Sequence, residues 1–204
     1  GRKLLIFSDS RQDAAFFAPY LERTYNVVLQ RRLILQALLN DHDAQQGQAR
    51  LEDAVQPLLR VAEDAGLFNH QQSLVERRKI VGSWLMRESF ATDRRHSLEG
   101  LGMLTFCLVK PHNWQAPEIL QSDPWNLSSD EAWDLISLLV NTLRQQGCIS
   151  FIDGIDPRNE IFAPRNKALY VREEESDPKA GILSWMPTRG TNRRLTILLR
   201  LLEE

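Results

Sequence analysis

Leu4–Ala15 reads LLIFSDSRQDAA. Four apolar residues, Leu4 to Phe7, stop at a small polar cluster that runs straight into helical spacing. A short unbroken apolar run is the pattern of a strand buried on both faces, as in a parallel sheet. A strand that turns directly into a helix presents that helix's unpaired amides at its carboxyl edge, where open α/β sheets hold ligands. Ser10, with Asp13 three residues on, can cap the helix, and Arg11 adds a fixed positive charge. Amides, hydroxyls and a guanidinium together suit a phosphate. The plainer alternative makes Ser10 a cap and Arg11 a solvated surface charge, and spacing alone does not separate the two.

Two enzymatic readings of this tip fail on the residues present. An aspartyl nucleophile of the haloacid-dehalogenase type at Asp9 needs a second Asp two positions on, and Arg11 stands there. A nucleophile elbow needs glycines flanking the serine, and neither Ser8 nor Ser10 has them.

A doubly buried strand needs neighbours, yet no second run of that kind follows for a long way. The sequence therefore predicts that residues 3–7 belong to a sheet whose remainder lies outside it, and both ends of the chain read as interrupted. Composition is ordinary for a soluble globular chain, 43% apolar and 25% charged over 204 residues. A net charge of −2 excludes any global attraction to nucleic acid or membrane, so such binding would rest on local patches. Cys107 and Cys148 have no CxxC spacing and fit a reducing, cytoplasmic setting without disulfide or zinc. No apolar run approaches the roughly 18 residues of a membrane span.

From Asp13 the spacing is helical to about Asn40, with Phe17, Leu21, Val28 and Leu35 on one face. Further helices are predicted over 51–64, stopped at Gly66, over 71–90, and over an apolar stretch from Ser97 to Pro111 carrying Leu98, Leu101, Leu104 and Leu108. Residues 111–127, with Pro111, Pro117 and Pro124, read as an irregular connector. Ser128 and Glu131 form a capping box for a helix with Ala132, Leu135, Ile136, Leu139 and Leu143 inward, ended at Gly147. CISFID, a turn through Gly154 to Asn159, and EIFAP then predict a β-hairpin, so that 128–171 resembles the back half of a winged helix. Residues 172–181 read as an acidic linker, followed by an amphipathic helix from Asn192. The expected fold is mainly α, divided at 1–40, 41–127, 128–171 and 172–204: an incomplete α/β strand–helix, a helical insertion, the winged-helix-like part with its hairpin, and a linker with a return helix.

KLLIFSDSRQDAAFFAPYLE, residues 3–22, resembles the start of the second RecA-like lobe, the motif IV region, of large bacterial DEAD/DEAH-box helicases of superfamily 2. TRGTNRRLTILLRLLE near the other end is similar more weakly. The resemblance implies that the strand–loop–helix faces a nucleic-acid backbone, DNA in preference to RNA. By position it makes Ser8, Ser10, Arg11 and Gln12 backbone-contacting or loop-shaping residues, with Asp9 holding the turn. It also implies ATP and magnesium in the parent protein. This chain lacks the parts that would hold them: no Gly-Lys pair exists for a phosphate loop. Asp130-Glu131-Ala132-Trp133 opens a helix instead of closing a strand, and no arginine-rich motif completes an ATP site. The expectation is a non-catalytic part of an ATP-dependent helicase or translocase whose substance is an inserted module.

Within that insertion the candidate phosphate contacts are Arg77, Arg78 and Lys79, followed by Arg87 and Arg94-Arg95-His96, with Trp84 seven residues after Arg77 and so on its face. Arg158, at the tip of the expected wing with Arg165 and Lys167 beyond it, is a second candidate, diluted by Asp153, Asp156 and Glu160. The competing reading places Trp84 in the core and leaves the arginines as a solvated face. His42, His70, His96 and His112 share no metal-ligand spacing. Two functions follow: an accessory surface that positions nucleic acid against the lobe, or an insert that docks partner subunits.

Overall fold

The computed structural model describes residues 11–91, 93, 95–162, 170–172, 182–185 and 190–203. The expected strand 3–7, with Ser8 and Ser10, lies outside the described residues. So do Arg94, Arg165, Lys167 and most of the 172–181 linker. The fold is mainly α. Helix α1 runs Arg11–Leu39, α2 His42–Gln45, α3 Val55–Asp64, α4 Leu74–Ser89, α5 Glu118–Gln121, α6 Ser129–Gln145 and α7 Arg193–Glu203.

The centre is built from α1, α3 and α4. Leu33, Ile34 and Ala37 of α1 meet Leu58, Leu59 and Ala62 of α3, and Val81, Trp84 and Leu85 of α4 close the cluster, capped by Leu98. These α1 residues sit at i, i+1 and i+4, one side of a 3.6-residue period. α4 is buried on a second side too, where Met86 and Phe90 meet Ile155 and Phe162. Gly82 makes that contact possible: a Cβ there would lie 2.8 Å from Ile155 Cδ1. α4 starts on a full capping box, Ser73 with Glu76, and α6 on the expected one, Ser128 with Glu131. α6 ends where predicted: Gly147, at φ +87°, lets the Cys148 amide bond back to Leu143.

Two expectations are corrected. The helix from Ser97 is a single turn. Gly102 adopts φ +70°, and the Met103 amide closes back onto the Leu98 carbonyl, which ends the helix after one turn. Residues 104–110 continue as an extended strap. The hairpin is also absent from 148–162, so the winged-helix-like part keeps its helix without the wing. CISFID is irregular and Glu160–Phe162 is a 3₁₀ turn. Asp156 and Asn159 side chains accept from the Arg158 and Ile161 amides, supplying local partners in place of a strand ladder. Phe151 and Phe162 pack edge-on at 5.3 Å and both meet Phe90, at 6.3 and 5.7 Å. The segment thus wraps α4 with consecutive apolar residues instead of alternating ones. Among the described residues the strands are β1, Tyr170–Arg172, and β2, Ile182–Ser184, which pair in parallel.

Candidate functional site

Of the basic candidates on α4, Arg77 is fully engaged. Its Nη1 donates to Glu63 Oε1 at 3.0 Å, its Nε to the Gln72 carbonyl at 3.0 Å, and its Nη2 to the Asn69 carbonyl at 3.3 Å. The guanidinium also lies 5.7 Å from the Phe68 ring, which stacks on Trp84 at 6.5 Å. Arg77 and Trp84 therefore do share a face, joined through Phe68, and the stack closes the α3–α4 pair. Trp84 is core. Arg78 donates to Gln56 Oε1 at 2.8 Å. Lys79 and Arg158 are exposed. Gly154 underlies the Lys79 stem: a Cβ there would lie 3.1 Å from Lys79 Cε. Arg11 and Gln12 open α1. Arg77 is thus drawn into the α3–α4 contact, while Arg78, held by Gln56, stays exposed beside Lys79.

The pair Arg193-Arg194, whose place in an amphipathic helix suggests a surface or packing role, divides between the two: Arg193 is exposed and donates to Gln145 Oε1 at 2.8 Å, and Arg194 packs. Arg194 is 3% exposed, donates to the Trp185 carbonyl and Thr142 Oγ1, and covers the Trp185 ring at 5.6 Å. Burial pushes its pKa below the ordinary guanidinium value, and pushes the Cys148 thiol up. Among the described residues no group of three His, Cys, Asp or Glu is placed to hold a metal ion, and no helix is long and apolar enough to cross a membrane.

The concave surface of the molecule lies elsewhere, against the strap 97–109. On one side of it a cavity of about 470 Å³ runs between α1, α4 and the strap, floored by Ile34, Leu85 and Leu104. On the other side a wider groove of about 580 Å³ follows the outer face of α1. Leu35, Leu39 and Met103 line both, so the two are neighbours across the same apolar residues, together called the trough below. Two charged clasps hold its wall. Glu88, 2% exposed, accepts from Arg31 Nε at 2.9 Å and from the Leu98 amide. Arg144 grips Glu99 with Nη2 at 2.8 and 2.7 Å, donates to the Ser89 carbonyl, and covers Phe106 at 4.7 Å. His96 Nδ1 stands 2.7 Å from Asp93 Oδ2, and the hydrogen bonds from the Arg95 amide and the His96 ring hold the Asp93 carboxyl below its usual range.

Helical spacing of Leu98, Leu101, Leu104 and Leu108 hides this surface, since it predicts a continuous helix there. The signal that marks it is Gly100-Leu101-Gly102, a break within the apolar spacing. No protein-family model, curated protein or solved structure matches the chain.

Proposed function

We propose that this chain is part of an ATP-dependent nucleic-acid motor of the superfamily 2 helicase type: the opening of its second RecA-like lobe followed by an inserted helical module. The observation that supports this is the course of α1. The helix begins at Arg11, inside the motif-like stretch, and runs 29 residues, roughly 43 Å, without interruption into the core of the insertion. A tip joined to a module by one continuous helix is positioned by that module. Ser8, Ser10, Arg11 and Gln12 then meet a DNA backbone, while Lys79 and Arg158 add contacts from the insertion. ATP and magnesium are held by the rest of the motor.

The test is fluorescence anisotropy of the whole chain on forked and blunt DNA duplexes over a salt series. Arg11→Ala, Lys79→Ala and Arg158→Ala should each lower the salt slope by about 1, the loss of one phosphate contact. A chain that binds neither duplex at low salt refutes nucleic-acid positioning by these residues.

A second reading, that the insertion docks a partner subunit, is favoured by one observation. Arg77 is engaged within the fold, whereas the groove exposes Leu39, Leu101 and Met103 together.

A further inference from the structure

α1 has two apolar faces. Leu33, Ile34 and Ala37 enter the core. Tyr25, Val28 and Leu39 do not, being 67%, 59% and 68% exposed, and Leu35 between them is half-buried against the edge of that core. Tyr25, Val28, Arg32, Leu35 and Leu39 are spaced 3, 4, 3 and 4 residues apart. That is the a/d seam of a heptad, and it matches the face on which the sequence places Leu21, Val28 and Leu35. From Tyr25 to Leu39 the seam rises about 21 Å, long enough for four turns of a second helix. The groove beside it, walled by Leu98, Leu101 and Met103, gives such a helix a second side to rest on.

Charge decides what that helix is. Arg32 occupies a central seam position, and the other ionisable groups lining the groove are Arg31, Arg95 and His96, with no carboxylate among them. Arg31 is neutralised by Glu88 and His96 stands against Asp93, while Arg32 and Arg95 are exposed. A second copy of this chain fits poorly. In-register parallel pairing sets Arg32 against Arg32, and pairing in either direction brings a second cationic lining that holds no carboxylate against the exposed Arg32 and Arg95. Nor does the apolar floor suit a phosphate backbone.

We infer that the outer face of α1 is a docking seam for an amphipathic helix of a partner protein, one with an apolar stripe flanked by Asp or Glu and a carboxylate opposite Arg32. This rests on the docking reading above and names its site and partner chemistry.

The probe is a dye-labelled synthetic peptide of about 21 residues with a leucine seam and glutamates elsewhere, including opposite Arg32; its twin carries lysines at the same places. Anisotropy with the whole chain should show the glutamate peptide binding at least about tenfold more tightly. Arg32→Glu should reverse that preference, and Val28→Asp should abolish binding of both. Val28 and Arg32 are exposed, so thermal unfolding of both variants should match the parent. Absence of binding, or equal binding of the twins, overturns the inference. Binding indifferent to both variants removes the seam but leaves a docking insert standing. A concentration-dependent dimer lost in Val28→Asp assigns the seam to a second copy. An Arg32→Glu effect on duplex DNA but not on peptide assigns it to nucleic acid. Either result overturns the proposal.

Discussion

Glu88 of α4 and Arg31 of α1 form an ion pair at 2.9 Å whose carboxylate is 2% exposed, and the same carboxylate takes the Leu98 amide. One buried side chain thus ties the two core helices to the strap that walls the trough. Removing a single partner of such a pair strands the other charge, which costs more than the pair contributes. Glu88→Ala should lose about 3 kcal/mol in urea denaturation. Arg31→Met in the Glu88→Ala background should recover part of that loss, since the uncompensated guanidinium is then gone. A loss under ~1 kcal/mol would show that the clasp is incidental to stability.

Gly82 and Ile155 should be strongly coupled. Alanine is favoured over glycine inside a helix by about 1 kcal/mol, yet a Cβ at Gly82 would sit 2.8 Å from Ile155 Cδ1. Gly82→Ala should therefore destabilise the protein, by about 1 kcal/mol or more. Ile155→Val deletes Cδ1, and in that background Gly82→Ala should become neutral or stabilising. A thermodynamic cycle whose coupling is near zero would place the two segments further apart than described.

Arg77→Ala should act on stability, with little effect on any salt-dependent DNA binding. The change removes the Glu63 pair, two carbonyl contacts and the cation over Phe68, at a cost of about 1–2 kcal/mol after allowance for partial exposure. Arg77→Lys should recover little of it, because an ammonium cannot make the forked set of contacts. A stable Arg77→Ala variant with a flattened salt slope would return Arg77 to the phosphate-contacting group.

Acid should weaken the fold partly through its helix starts. The Ser73 amide and hydroxyl hold the Glu76 carboxyl below the usual range, and the Ser128 hydroxyl and amide do the same for Glu131. A carboxyl whose pKa is lower folded than unfolded contributes stability that is complete above the ordinary carboxylate range. That contribution is lost as pH falls through the folded values. Glu76→Gln/Glu131→Gln should have a lower Tm than the parent at pH 7, a shallower decline between about pH 5 and pH 3, and a Tm that converges with the parent's in acid. An unchanged acid slope would mean that these caps do not titrate with folding.

Several elements were legible in the sequence because their causes are local. Ser128 and Glu131 cap α6 within four residues of chain, Gly147 closes it within two more, and α7 starts one residue from its expected place. The strap was not legible. Leu98, Leu101, Leu104 and Leu108 satisfy a helical period, and what breaks it is the conformation at Gly102 together with Glu88 and Arg144 seizing Leu98 and Glu99 from other helices. The hairpin failed for a related reason: Phe151 and Phe162 find a shared partner in Phe90, which lies sixty residues back along the chain.

Among the candidate contacts, residue type alone made Arg77, Arg78, Lys79 and Arg158 equivalent. The tertiary structure set Arg77 apart, because Glu63 of α3 and the loop after it supply its partners, while Arg78, Lys79 and Arg158 stay exposed. The sequence by itself determined where helices start and placed one apolar face of α1 through Phe17, Leu21, Val28 and Leu35, whereas the face that is buried carries Leu33, Ile34 and Ala37. Which of its two apolar faces is buried was decided by α3 and α4, since a hydrophobic face has no direction until another element covers it.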